Sequence, residues 1–423
     1  MKPFRSEGAM KHVHAHLLPF IAFLSLVFLR DMCAGQHGSL QRKLTDVSVI
    51  PSEFSWTTGP PILDPGQLGV DEWIAFKDPS IVRHDGQWHL FGTLRGKTRS
   101  HALIYTSFSD FDKVHQATPV VLPNHDGYAA APQVFFFTPH DTWYCICQAS
   151  HDDWNPRGQA AFATTETIAD PQSWSPLKPM GLARTEDKYN LDYWVICDGP
   201  TAWIFWTSDN GKMWRAQTAK DDFPYGWSEP VVAFSGDIFE ASHIYRADGG
   251  DYFFNVIEAR KGGDRRYFKI LYAPELGGEW SSPPEGFAGV YASDETVTQT
   301  PEKWTDYISH GEVVRSTNDE HLRADPLADF IFQGVLHSER SGKSYGSIPW
   351  KLGLLKSTRE TLTLSRTQRS GIPAARRLRA ASYELFFSRE DFRPKLIHHG
   401  THGTPLQWHD VSGRAIGGRR PAP

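Results

Sequence analysis

Cysteine is scarce in this chain, with four in 423 residues. Cys33, Cys145, Cys147 and Cys197 form no CxxC pair and no His/Cys spacing of the zinc type, so a zinc module is not what organises the fold. Cys145 and Cys147 lie two apart on an expected strand and share a face. They read either as small buried thiols or, for Cys147 with Cys197, as a bridge formed in an oxidising compartment. A basic surplus is missing too: 44 Lys and Arg stand against 49 Asp and Glu, a net charge of −5, which argues against nucleic acid as a main partner. Long hydrophobic runs are absent apart from Leu17 to Leu29, and those 13 residues are too few to span a bilayer comfortably. No long stretch repeats with a 3.6-residue period, so amphipathic helices are not the building unit.

Apolar residues are plentiful. Hydrophobic residues make up 40% of the chain and charged ones 22%, which supports a sizeable core and excludes wholesale disorder. Aromatics reach 13%, with 15 Trp, a content found in β proteins that stack on sugars and equally in aromatic cores. Charge is unevenly placed. Residues 356–423 hold 13 Lys and Arg against 5 Asp and Glu, whereas residues 1–355 hold 31 against 44.

At the amino terminus, Lys2, Arg5 and Lys11 precede the apolar run, and Ala34-Gly35 follows it. Residues 1–35 therefore read as a signal peptide, and the protein as secreted, with no membrane attachment after cleavage. Arg30-Asp31-Met32 lacks the small residues expected before a lipidated cysteine at Cys33. A polar lead-in spans 36–51.

Short aromatic strands then recur, each after a polar turn: His84-Asp85-Gly86-Gln87-Trp88, Pro139-His140-Asp141-Thr142-Trp143, Asp198-Gly199-Pro200-Thr201-Ala202-Trp203 and Asp248-Gly249-Gly250-Asp251-Tyr252. The marker aromatics are 55, 60 and 49 residues apart, and a fifth unit falls around Asp329-Phe330-Ile331-Phe332. Asp-Gly and Gly-Gly between apolar runs are hairpin signals. Four or five β units of this size predict an all-β propeller with a central channel over residues 52–355. The rival is a two-sheet sandwich, though no linker divides the chain. Residues 356–423 form a basic tail without blade pattern and with room for a short helix near 373–387.

Three carboxylates sit in apolar surroundings, where a charge is costly unless it has a partner or a use. They are Asp78 in Phe76-Lys77-Asp78-Pro79-Ser80-Ile81, Asp192 in Leu191-Asp192-Tyr193-Trp194, and Glu240 in Ile238-Phe239-Glu240-Ala241. Each begins or precedes a different unit, so a propeller would gather them at one end of its channel. One protonated and one ionised carboxyl are what glycoside hydrolysis needs, and a third nearby raises the acid by like-charge repulsion. Turn caps or ion pairs would explain each carboxylate singly. Asp198, six residues after Asp192, shares its face on a regular strand and rivals it for the third role, although Gly199-Pro200 places it in a turn.

Lys77-Asp78-Pro79-Ser80-Ile81-Val82 and Asp85-Gly86-Gln87-Trp88-His89-Leu90-Phe91 resemble the first blade of glycoside hydrolase family 62, a relative of family 43. Further segments resemble that family in the same order, among them Ala130-Ala131-Pro132-Gln133, Phe239-Glu240-Ala241-Ser242, Gly263-Asp264-Arg265-Arg266-Tyr267-Phe268 and Ile308-Ser309-His310-Gly311-Glu312. The resemblance implies a five-bladed, inverting α-L-arabinofuranosidase that removes side groups from the plant cell-wall polysaccharides arabinoxylan or arabinan, acts as a monomer and needs no cofactor for its chemistry. It implies Asp78 as general base, Glu240 as general acid and Asp192 as the group that raises and orients the acid. Lys77 would reach the sugar, which requires a local bend; the alternative is a salt bridge. Tyr345 would shape the substrate rim. His310 would lie near a channel calcium completed by water, or be a plain hydrogen-bonded histidine. Two departures, Ala149 after Gln148 where relatives carry Trp, and Gly346 after Tyr345 where they carry Asn, bear on the polymer rather than on the reaction; Trp154 lies close enough to substitute as a stacking ring. A family-43-like xylosidase or arabinanase, and a carbohydrate-binding propeller without turnover, remain as alternatives.

Overall fold

The computed structural model describes residues 51–358, except 52, 188, 209–210, 263–264 and 283–288, and four two-residue strands beyond residue 384. The signal segment, Cys33 and the lead-in up to residue 50 lie outside the described residues. Of the helix expected near 373–387, only Leu385–Phe386 is described, and it is a strand paired with Lys395–Leu396. Trp408–His409 pairs likewise with Ala415–Ile416. These short pairs belong to a separate unit that starts at Leu362.

Each polar turn of the repeat leads into the second strand of one sheet. After β1 (Trp56–Thr58), the strands β2 (Trp73–His84), β3 (Gln87–Gly96), β4 (Ala102–Phe108) and β5 (Val120–Val121) pair in that order. Asp85 and Gly86 link β2 to β3 with φ of +48° and +77°, the left-handed pair of a tight hairpin whose twist matches its strands. A second sheet holds β6 (Ala129–Phe137), β7 (Thr142–Ser150), β8 (Gly158–Thr165) and β9 (Lys178–Pro179). The third holds β10 (Asn190–Asp198), β11 (Thr201–Ser208), β12 (Lys212–Ala219) and β13 (Val231–Ser235). The fourth is built on β14 (His243–Ala247), β15 (Phe253–Lys261), β16 (Arg265–Ala273) and β17 (Val290–Ala292). After β18 (Val297–Gln299), a fifth is built on β19 (Ser309–Val313), β21 (Phe330–Gly334) and β22 (Lys351–Ser357), while β20 (Arg323–Ala324) joins the fourth beside β14. Five sheets make five blades, as the family resemblance implies, and exclude the two-sheet sandwich.

Ring closure uses both ends of the domain. β1 pairs antiparallel with β22, Trp56 opposite Ser357, and β18 adds to it in parallel. The Trp56 indole is buried and donates to the Tyr291 carbonyl at 2.7 Å. The last strand therefore ends at Ser357 rather than at residue 355.

The innermost strands β2, β6, β10, β14 and β19 surround the axis, and polar links tie each blade to the next. Ser80 Oγ accepts from Val134 N–H at 3.0 Å. The Gln133 amide makes two 2.7 Å bonds with the Val195 backbone. Trp194 donates to the Ile244 carbonyl at 2.8 Å, and His243 Nδ1 lies 2.7 Å from the Gly311 oxygen. Gln333 Oε1 accepts from Asp78 N–H at 2.9 Å and closes the circle. Such bonds satisfy backbone groups that a buried channel wall would otherwise orphan. Between blades the core is aromatic, with Trp194, Trp206, Phe205 and Tyr245 fully buried. Cys145, Cys147 and Cys197 are buried free thiols, which settles their reading against a Cys147–Cys197 bridge.

Candidate active site

Neighbouring residues on a regular strand point to opposite faces, so Lys77 and Asp78 should diverge. They do not, because the pairing of β2 with β3 slips between Lys77 and Ser80, and Asp78 has φ of +50°. The same bulge recurs around the ring. Pairing slips between Ala130 and Gln133 with Ala131 at +53°, and between Leu191 and Trp194 with Asp192 at +59°. Ala241, just before β14, has φ of +55°, and the fifth blade slips between Ser309 and Gly311, around His310.

A left-handed conformation at a non-glycine residue costs on the order of 1–3 kcal/mol and persists only where its surroundings impose it. Here a side chain from the preceding blade holds each bulge N–H. Asp78 N–H donates to Gln333 Oε1 (2.9 Å), Ala131 to Thr93 Oγ1 (2.8 Å) and Asp192 to Gln148 Oε1 (3.2 Å). Ala241 donates to Asp192 Oδ2 and His310 to Glu258 Oε2, both at 2.9 Å. The strands are thus bent at equivalent places, and side chains from successive blades meet at one end of the channel.

The side chains gathered there are Asp78, Asp192, Glu240, Lys77 and His310, all buried, and the half-exposed Tyr345. His310 Nδ1 stands 3.3 Å from Asp78 Oδ1 and 3.8 Å from Asp192 Oδ2. Lys77 Nζ lies 3.8 Å from Asp78 Oδ2 and 4.8 Å above the Tyr345 ring. The salt bridge and the bend that Lys77 would need are therefore both present. Glu240 Oε1 receives Arg266 Nη1 at 2.7 Å, and the same nitrogen reaches Glu258 Oε1 at 3.0 Å. All six residues singled out in the sequence converge. Asp198 does not: it lies at the far end of β10, 41% exposed, paired with Arg246 at 2.7 Å. The bulge between Leu191 and Trp194 breaks the alternation that would have put it on the face of Asp192.

The carboxyls are driven apart. Burial pushes Asp78 up, but the Lys77 and His310 charges and the Thr93 hydroxyl outweigh it and hold the group below the ordinary range. Asp192 is pushed far above that range by burial and by the charges of Glu240 and Asp78, against the Ala241 N–H and Lys77. Asp78 is thus held toward its ionised, proton-accepting form and Asp192 toward its protonated form, and neighbouring carboxyls pushed apart in this way mark acid–base sites. Lys77 stays charged, because the attraction of Asp78, Tyr345 and Tyr128 exceeds the burial penalty. Burial pushes Glu258 up to about 7, opposed by Arg266 and assisted by Glu240.

Sequence reasoning missed Arg266, Glu258, Gln148 and Tyr128. Tyr128 Oη accepts from Gln148 Nε2 at 2.7 Å, and burial pushes the phenol up to about 12. Glu258 carries the signal that found the others, a carboxylate inside an apolar run, Val256-Ile257-Glu258-Ala259. At the rim, Ala149 is buried against the core of the second blade, so that departure alters packing rather than an exposed platform. Trp154 stacks on His125 instead, with ring centroids 6.0 Å apart and 17° between planes. A Cβ on Gly346 would lie 3.2 Å from Arg95 Nε, so the guanidinium fills the space that a larger residue would need. No group of three or more His, Cys, Asp or Glu side chains among the described residues is placed to hold a metal ion.

The low Asp78 sets a testable sign. In the role of base that the family resemblance implies, Asp78 is lost as pH falls through its pKa, so the acidic limb of kcat/KM should lie below about 3.9, the ordinary Asp value. Lys77→Met removes the cation that lowers it, and the limb should move up by about one pH unit or more. A pH profile of kcat/KM for both proteins checks this, and an unmoved limb would separate Lys77 from the base.

Residues 55–356 match the profile of glycosyl hydrolase family 62. α-L-Arabinofuranosidase C of Cellvibrio japonicus is 34% identical over 315 residues, 73% of this chain and 48% of that protein, so the chain spans about half the length of this relative. The catalytic domain of a family 62 α-L-arabinofuranosidase from Coprinopsis cinerea superposes with a TM-score of 0.66 at 33% identity, covering 73% of this chain and 98% of that one. The α-L-arabinofuranosidase of Podospora anserina, in complex with cellotriose, gives 0.66 at 31% with the same coverage.

Proposed function

This chain belongs to glycosyl hydrolase family 62, and we propose that it is a secreted enzyme that removes α-L-arabinofuranosyl side groups from arabinoxylan or arabinan with inversion at the anomeric carbon. The observation that carries the reading is the meeting of Asp78, Asp192 and Glu240 at one end of the channel, with Asp78 held low and Asp192 held high. The likeness to the arabinofuranosidases of Cellvibrio, Coprinopsis and Podospora supports the sugar.

In this reading Asp78 accepts a proton from a water as that water's oxygen bonds to the anomeric carbon. The glycosidic C–O bond breaks on the opposite face, and its oxygen takes a proton from Glu240. Free arabinose and a polymer with a free hydroxyl at the former branch point result; Asp78 then gives up its gained proton to solvent and Glu240 takes one back, which restores the starting state. An inverting pair leaves about 6.5–9.5 Å between carboxyls for the water. Asp192 accepts the Ala241 N–H beside Glu240 and so holds the backbone that carries the acid. Lys77 and Tyr345 form the wall that meets the sugar. The calcium expected near His310 does not fit the residues present, because a hard cation wants oxygen ligands and no group of three or more His, Cys, Asp or Glu side chains among the described residues is placed to hold a metal ion; the acid–base steps do not need it.

The Glu240–Arg266 pair gives one argument for the alternative, a sugar-binding propeller without turnover, because an ion-paired carboxylate is a poor proton donor. Incubation with wheat arabinoxylan separates the two. The enzyme releases arabinose as the only monosaccharide, whereas the binding module retains the polymer and releases nothing.

A further inference from the structure

In the first, second and fifth blades, the residue opposite the start of the bulge is the one whose side chain clamps the next blade; in the third, Asp192 of the bulge itself does so. Thr93 stands opposite Lys77, Gln148 opposite Ala130 and Gln333 opposite Ser309. Each clamps a bulge N–H with an uncharged oxygen. Glu258 holds the same place opposite Glu240, since its N–H donates to the Glu240 carbonyl at 2.9 Å, and it clamps His310 N–H. A neutral amide would serve that purpose. Gln333 makes the equivalent pair of contacts, its Oε1 to a bulge N–H and its Nε2 to Ser309 Oγ at 3.2 Å. Glu258 is fully buried, and a buried carboxylate in place of an amide is costly without a use for its charge.

The use is visible in the site. Glu258 Oε1 receives Arg266 Nη1 at 3.0 Å and Ser309 Oγ at 2.9 Å, and the same Arg266 nitrogen reaches Glu240. The guanidinium also lies over the Phe239 ring, with its central carbon 4.3 Å from the centroid. We infer that Glu258 is the positioning residue of the general acid: its carboxylate holds Arg266 beside Glu240 while its other oxygen holds the His310 bulge, so one side chain ties the acid to the strand that faces the base. This inference rests on the acid role of Glu240 proposed above.

Glu258→Gln tests it, because the amide oxygen keeps the clamp on His310 N–H used in the second and fifth blades, while the amide nitrogen no longer accepts from Arg266 and can donate to the Ser309 hydroxyl, as Gln333 does. The full chain is assayed on arabinoxylan, whose leaving group needs protonation, and on p-nitrophenyl α-L-arabinofuranoside, whose leaving group does not. The expected result is a loss of about tenfold in kcat on arabinoxylan, smaller than the 10²–10⁴ that removal of the acid itself costs. KM and the p-nitrophenyl rate stay within about twofold, and Tm stays within about 4 °C. Equal losses on both substrates, an unchanged rate on both, or a protein that no longer folds would overturn the inference. Glu240→Gln is run alongside. If it slows arabinoxylan turnover while Glu258→Gln does not, the positioning role fails alone; if Glu240→Gln is itself without effect, the acid assignment fails and the inference with it.

Discussion

Asp78→Asn is expected to abolish most turnover on every substrate, with a loss on the order of 10²–10⁴ or greater in kcat. The substitution is nearly isosteric. The amide can still accept the Thr93 hydroxyl and face His310, and the bulge N–H still donates to Gln333, so the fold and the binding of arabinose should survive. What is lost is the ability to take a proton from water. Because the water must be activated whatever the leaving group, p-nitrophenyl arabinofuranoside and arabinoxylan should suffer alike. KM should change little, since the wall formed by Lys77 and Tyr345 is untouched. A variant that keeps its rate on either substrate would place water activation elsewhere.

Glu240→Gln should behave differently, and the contrast is the stronger evidence. Removing the proton donor costs about 10²–10⁴ on arabinoxylan, whose sugar oxygen cannot leave as an anion at an appreciable rate. A p-nitrophenolate leaves unaided, so on the aryl substrate the same variant should keep much of its rate. The neutral amide retains a contact for Arg266 through its oxygen, and Ala241 N–H stays on Asp192, which limits the structural change. Paired rates on the two substrates give the readout. Equal losses on both would identify Glu240 as a binding or structural group rather than as the acid.

The blade pattern was legible because its cause is local. Asp85-Gly86 adopts the left-handed turn that those residues favour, and the strand after it begins with an aromatic, Trp88, that packs on Phe111 of the same blade. The carboxylates were legible because Asp78, Asp192 and Glu240 stand in apolar runs where a charge needs a reason. The resemblance, not periodicity, supplied the reaction. The bulges were hidden for a physical reason. Nothing in Lys77-Asp78-Pro79 announces a φ of +50°, since the side chain that imposes it is Gln333, 255 positions away. Without the bulges, Lys77 and Asp78 point apart, and Asp198 looks equivalent to Asp192. Arg266 was obscured by Arg265 beside it: the first is buried in the site, whereas the second is exposed and pairs with Asp294. Glu258 carried the right signal in an apolar run but lies on a second strand, away from the innermost strands that the propeller argument searches.

The central claim is a single displacement in which Asp78 activates water and Glu240 protonates the leaving oxygen. Proton NMR of the first sugar released from an α-linked arabinoxylan, recorded before mutarotation, tests it most directly. The account predicts β-arabinofuranose as the initial product, decaying to the equilibrium mixture. Initial α-arabinofuranose would contradict it, because retention requires a carboxylate that attacks the sugar, and Asp78 would then be a nucleophile rather than a base.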